Sequence, residues 1–368
     1  MLKKLIFWSV AILVSSCGGD EPSDVTDDFD RGEMLSNWAD NIIIPAYVSY
    51  QAELSGLKTQ GAAFTNEPTV QNLENLRTSW INAYKAWQHV SMFEVGKAES
   101  LNVRNYTNIY PTNPSGINDN IASGSYNLEL PSKNDEQGFP ALDYMINGLA
   151  STDAEMVAVY TNQDNGQAHK TYLNDLIDRL AEMADEIVAD WKGSYRDTFV
   201  SDDGSSATSA TNKVVNDFLF YYEKFLRAGK VGIPAGVFSG SAIPTAVEAY
   251  YHGEVSKTLF QEALNSTENF FNGQHFGAST QGESLKSYLD YLNTIKDGED
   301  LSGLINTQFS SSRSAASLLD DNFSEQIGTD NSLMLQTYDE LQKNVILMKV
   351  DMMQALNVKI DYIDADGD

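Results

Sequence analysis

Four histidines, a single cysteine and a large excess of carboxylates limit the chemistry open to this 368-residue chain. His89, His169, His252 and His275 are well separated, and none sits in a His-Glu-x-x-His pattern, so a zincin-type site is absent. The best donor pair is Glu248 with His252, four apart in "VEAYYHGE", which a helix would place on one face. Two ligands do not complete a metal site, and such pairs are common on solvated helix faces. Nucleophile signatures fail as well. "GVFSGS" at 236–241 lacks the Gly-x-Ser-x-Gly elbow and follows no strand, and neither a phosphate loop nor a dinucleotide fingerprint occurs. The terminal "DYIDADGD" has the composition of a calcium loop but lacks its downstream Glu and second helix, so a solvated acidic end is expected.

A different candidate is "DEQGFPALDYMING", residues 135–148, where Asp143 rides among Phe139, Leu142, Met145 and Ile146 at helical spacing. Pro140 suits a first helical turn, where the amide it lacks would have no partner. A lone carboxylate on an apolar helix face is either a hydrogen-bonded core group or part of a binding site, and spacing does not choose between them.

The N-terminus reads as an export signal: Lys3 and Lys4, an apolar run from Leu5 to Val14, then Ser15 and Ser16 before Cys17. The run is too short for a permanent bilayer span. Small residues before a lone Cys are the pattern of a bacterial lipoprotein, with residues 1–16 removed and Cys17 lipidated. The expected location is the cell envelope, anchored by lipid and facing the periplasm or the surface of an outer membrane. No intrachain disulfide is then available. Residues 17–33 are acidic and polar and are expected to form a flexible tether. With 52 acidic against 24 basic residues the net charge is −28, which excludes the basic footprint of nucleic-acid binding.

Periodicity then shows what must position any site. Leu73, Leu76, Trp80, Tyr84 and Trp87 form one three-four stripe, and Leu173, Leu176, Leu180, Met183, Ile187 and Trp191 a second. Val215, Phe218, Leu219, Tyr222 and Leu226 form a third, and Met334, Tyr338, Leu341, Val345, Met348 and Met352 a fourth. No convincing alternating strand occurs. The expected fold is all-α: two packed helical bundles, 34–199 and 213–358, joined by a Ser/Asp/Gly/Thr linker at 200–212 and followed by an acidic tail at 359–368. Irregular Pro/Gly/Asn-rich stretches at about 102–138 and 230–244 are long enough to be functional.

Five segments together resemble the imelysin family: "AWQHVSMFEVGKAES" (86–100), "IYPTNPSGINDNI" (109–121), "GFPALDYMING" (138–148), "NDFLFYYEKFLRAGKVGIPAG" (216–236) and "ALNVKIDYIDADGD" (355–368). The resemblance runs across nearly the whole mature chain. It implies two packed helical bundles, an envelope lipoprotein and an association with iron acquisition; the founding member was assigned as a peptidase. The family signature Gly-x-His-x-x-Glu falls here on Gly138, Pro140 and Asp143. Proline offers neither a lone pair nor a proton, so the His/Glu pair that could address one metal is broken. The resemblance therefore implies a binding protein rather than an enzyme, with iron or another divalent cation as the ligand class. A peptidase and an accessory subunit of an outer-membrane transporter are the alternatives. The expected site lies at the bundle junction, walled by Gly138, Asp143 and Tyr144, by Trp87 and Glu94, and by the loop after Lys230. Asp143 is its candidate cation ligand, and Glu248 with His252 a weaker pair.

Overall fold

The computed structural model describes residues 27–362. The signal segment, Cys17 and residues 363–368 of the acidic tail lie outside them. Helix α1 (31–66) carries a π-helical stretch at Trp38–Ile43 and begins on Asp30, whose carboxylate accepts from the amide of Glu33 at 2.8 Å. The last residues of the stretch expected as a tether are held by chemistry: Asp27 pairs with Arg31 and accepts from the Tyr288 hydroxyl at 2.6 Å.

Helix α1 packs along α2 (Val70–Gln88) and α3 (Gly166–Asp190), and this trio forms the frame of the N-terminal half. In the C-terminal half α4 (210–235), α5 (Ser256–Phe271), α6 (Leu301–Ser317) and α7 (323–355) pack together. Every residue of the four apolar stripes is buried, Trp80, Leu173, Phe218 and Leu341 among them. Each such side chain removed from water contributes about 1.5–3 kcal/mol, which is why the stripe decides the packed face. Polar residues cap the helices where the stripes begin. Thr69 accepts from the Asn72 amide, and Ser209 from that of Asn212.

One contiguous apolar cluster runs through both halves, and α5 packs directly on α2. Loop 202–209 connects the halves on the outside. Among the described residues the strands are a two-residue hairpin, Ile295–Lys296 against Glu299–Asp300, too short to show as alternation in the sequence. The 102–138 stretch contains short helices, Val103–Thr107 and Pro114–Ser123, that fold back over the 138–148 segment. No helix of the described residues is long and apolar enough to cross a membrane.

Candidate functional site

The signature segment forms helix α8 (138–148), whose second half is π-helical. Its first residue needs to be glycine. Gly138 has φ +77°, and a Cβ there would lie 2.2 Å from the Thr107 carbonyl oxygen. The wide turn at the other end leaves carbonyls without helical donors. Two side chains satisfy them: the Tyr160 hydroxyl donates to Met145 O at 2.7 Å, and Arg77 Nη2 to Ile146 O at 2.9 Å. Phe139 stacks on Tyr84 at 4.4 Å, and its carbonyl accepts from Trp80 Nε1. The helix is therefore clamped at both ends, and Asp143 has little freedom to move.

Asp143 is almost fully buried, yet it lines a cavity of about 250 Å³. Pro140 stands in the same wall, opposite Tyr110, Pro111 and Pro114 from the 102–138 stretch and Val247, Ala249, Tyr250 and Tyr251 from the later half. The Tyr110–Pro111 peptide is cis, and Ala249 takes φ +58°, a left-handed conformation unusual for a side-chain-bearing residue. Asp143 Oδ2 accepts from the Tyr251 amide at 2.8 Å and Oδ1 from Asn147 Nδ2 at 2.9 Å. Burial pushes its carboxyl up to about 7; the Tyr251 amide, Asn147, the His252 amide and Arg77 oppose the shift without cancelling it. Near neutral pH this group can therefore either donate or accept a proton toward whatever occupies the cavity. Tyr144 packs on Tyr251 at 5.2 Å and its hydroxyl accepts from Asn118 at 3.1 Å.

Glu248 and Lys230 form the layer beneath. Residues 247–252 are irregular, between 3₁₀ turns at Pro244–Ala246 and Gly253–Val255, so the helix assumed for Glu248 and His252 does not exist. Pro244 and the left-handed Ala249 account for that. Glu248 turns away from His252 and meets Lys230 in a buried ion pair, also accepting from Asn108 Nδ2 at 2.7 Å and Gln88 Nε2 at 3.2 Å. Burial lowers the Lys230 ammonium, and Glu248 opposes it. His252 instead stands edge-on to Trp80 at 6.1 Å, and burial lowers its imidazole.

Two other expected wall residues lie elsewhere. Trp87 is packed in the core against Tyr50, at 5.7 Å, and does not line the Asp143 cavity. Glu94 joins Asp217 around the buried Arg104, which donates to Asp217 at 2.8 Å and to the Ser91 carbonyl at 2.8 Å. Burial raises both carboxyls while Arg104 pulls them down, and this cluster borders a separate cavity with Tyr362. The tyrosine–proline wall is not legible in the linear sequence. "YPTNP" and "AYY" offered a signal, a concentration of rings and fixed backbone in two loops, but only contact across 140 residues makes them one surface.

A metal does not fit this donor set. Among the described residues no three His, Cys, Asp or Glu side chains are grouped so as to hold an ion. Both Asp143 oxygens are already engaged by amide donors, and Pro140 supplies no second ligand.

The family model described as Imelysin matches residues 43–346. A curated relative, iron-regulated protein A of Synechococcus elongatus, is 23% identical over 183 residues. That alignment spans half of this chain and 45% of the relative, so the chain covers about half the relative's length. Two solved structures share the fold at 16% identity. A protein described as an iron-regulated protein A precursor from Parabacteroides distasonis has a TM-score of 0.69, covering 89% of this chain and 96% of that one. An imelysin-like protein from Psychrobacter arcticum scores 0.65, covering 90% and 97%. With a family match across more than three quarters of its length, ordered around a clamped Gly138–Asp143 segment, the chain belongs to the imelysin family.

Proposed function

We propose that this chain is an envelope lipoprotein that binds, rather than transforms, a ligand connected with iron acquisition, at the cavity beside Asp143. The observation that carries the reading is that the signature position opens onto a real cavity, with Asp143 and Pro140 in one wall and Tyr110, Tyr250 and Tyr251 facing them. A carboxyl poised near neutrality among tyrosines and prolines suits a ligand with a flat or apolar body and one polar group. The iron connection is supported by the names of two relatives, both iron-regulated protein A. Binding is favoured over catalysis because Pro140 stands where a histidine would act, and the paired carboxylate Glu248 is spent on Lys230.

Calorimetry on the chain from Asp27 onward with haem tests the proposal, with ferric iron, ferrous iron and zinc as bare-ion controls that should give no heat at this site. Saturable heat with haem, lost in Asp143→Ala, supports it. No heat with haem, or heat unaffected by Asp143→Ala, removes the site assignment. Cleavage of an unfolded protein substrate that Asp143→Ala abolishes would replace binding by peptidase action. The anchor is tested separately: Cys17→Ser should move the protein from the membrane fraction to the soluble one, and unchanged fractionation would reject lipidation. Copurification with an outer-membrane transporter would add the accessory role.

A further inference from the structure

A second recessed region, between α5 and α6 and reaching residues of the N-terminal half, shares no residue with the Asp143 cavity. Its open part is a groove of about 690 Å³ between α5 and α6. Asn272 and Asn306 exchange two amide hydrogen bonds, at 2.8 and 2.9 Å, and Glu268 pairs with Arg313. Those two pairings require the helices to run antiparallel and close the floor of the groove, with Arg313 Nε buried and unpartnered among the described residues. Above that floor, Asn265 and Asn269 from α5 and Gln281 from the following loop line the groove and make no side-chain hydrogen bond among the described residues. At one end the groove meets a cavity of about 440 Å³, sharing Asn269 and Gln274 with it. That cavity is apolar at its base, with Ile42, Phe93 and Phe270, and is roofed by Phe276.

We propose that this groove binds an extended, uncharged polypeptide segment, its backbone held by the amides and one bulky apolar side chain seated in the cavity. Primary amides carry a donor and an acceptor side by side, as a peptide unit does, so each can pair with an exposed backbone face. Their spacing fits. Residues four apart on a helix, such as Asn265 and Asn269, are separated by about 6 Å along its axis, and alternate residues of an extended chain by about 6.6 Å. The groove's one ion pair is self-neutralised in a chain of net charge −28, so the lining asks for no charge in return. A saccharide would suit the amides but has nothing to fill a cavity floored by Ile42, Phe93 and Phe270.

The test uses the full chain and fluorescein-labelled octapeptides of serine and glycine carrying phenylalanine, leucine or alanine at one central position. Anisotropy should show saturable binding of the phenylalanine and leucine peptides, with the alanine peptide about tenfold weaker or worse. Two exposed-site variants read the two halves of the site. Asn265→Ala with Gln281→Ala should weaken every peptide by about five- to tenfold. Ala278→Trp, at the exposed rim of the apolar cavity, should erase the preference for phenylalanine over alanine. Equal binding of all three peptides, failure of the phenylalanine and leucine peptides to saturate below about 1 mM, or saturable binding of maltohexaose in their place would overturn the proposal. Because Asp143→Ala leaves this groove intact, loss of one site is distinguishable from loss of the other.

Discussion

Asp143 and Glu248 are both buried carboxylates within the same few layers of side chains, and they are treated in opposite ways. Glu248 has a cation: Lys230 faces it, and Asn108 and Gln88 complete its donors. Asp143 has no cation in contact: the Tyr251 and His252 amides and the Asn147 side chain, with Arg77 acting more weakly than these, oppose burial, and burial outweighs them. A paired carboxylate is structural, because breaking the pair strands a charge. An unpaired one beside a cavity remains adjustable, and that distinguishes a site from a scaffold in this molecule. The Arg104 cluster repeats the Glu248 solution, with Glu94 and Asp217 sharing one buried guanidinium.

The largest test of that contrast is to remove the cation. Lys230→Met should cost about 3–5 kcal/mol in urea unfolding at neutral pH, because Glu248 is left charged and alone. Adding Glu248→Gln should recover most of that loss; no recovery would mean Lys230 matters for packing and not for charge. The second test titrates the carboxylate that lacks a cation. Its folded value, about 7, lies above the ordinary value of 3.8, so the folded chain holds a proton that the unfolded chain has released. The Asp143 contribution is therefore most favourable below the ordinary value and is lost as pH rises to the folded one, by on the order of 4 kcal/mol. Unfolding of wild type and Asp143→Ala compared at acidic and mildly alkaline pH should show the wild type losing ground as pH rises. A parallel pair of curves would place Asp143 with Glu248 after all.

A smaller effect is expected from the frame. Gly138→Ala should cost roughly 1–3 kcal/mol in melting experiments, since its Cβ would press on the Thr107 carbonyl in a left-handed backbone. Should the variant instead prove neutral, the turn that delivers Asp143 is looser than described. Tyr144→Phe is the mildest change. Losing the Asn118 contact should cost about 1 kcal/mol, and ligand heat at the cavity should persist if Tyr144 only braces Tyr251.

The comparison also explains what could be read early. The glycine at 138, the proline at 140 and the carboxylate at 143 stand out because their spacing is local. Glu248 and His252 misled for the same reason: four-residue spacing means one face only on a helix, and Ala249 and the turns around it prevent one. Trp87 and Glu94, expected in the wall, face the core and a different ion cluster.

The amino-acid order by itself determined the all-α fold, since stripes such as Leu73–Leu76–Trp80–Tyr84–Trp87 leave a helix one way to hide its apolar face. It also determined the family and the broken signature, both properties of the linear string. Tertiary structure alone decided which carboxylate received a cation, because Lys230 reaches Glu248 only after the chain has doubled back through Pro244. It also set the tyrosine–proline wall against Asp143, joining residues 110–114, 140–143 and 247–251. Charge pairing and burial depend on three-dimensional distance, and nothing in local spacing carries that distance across a hundred residues.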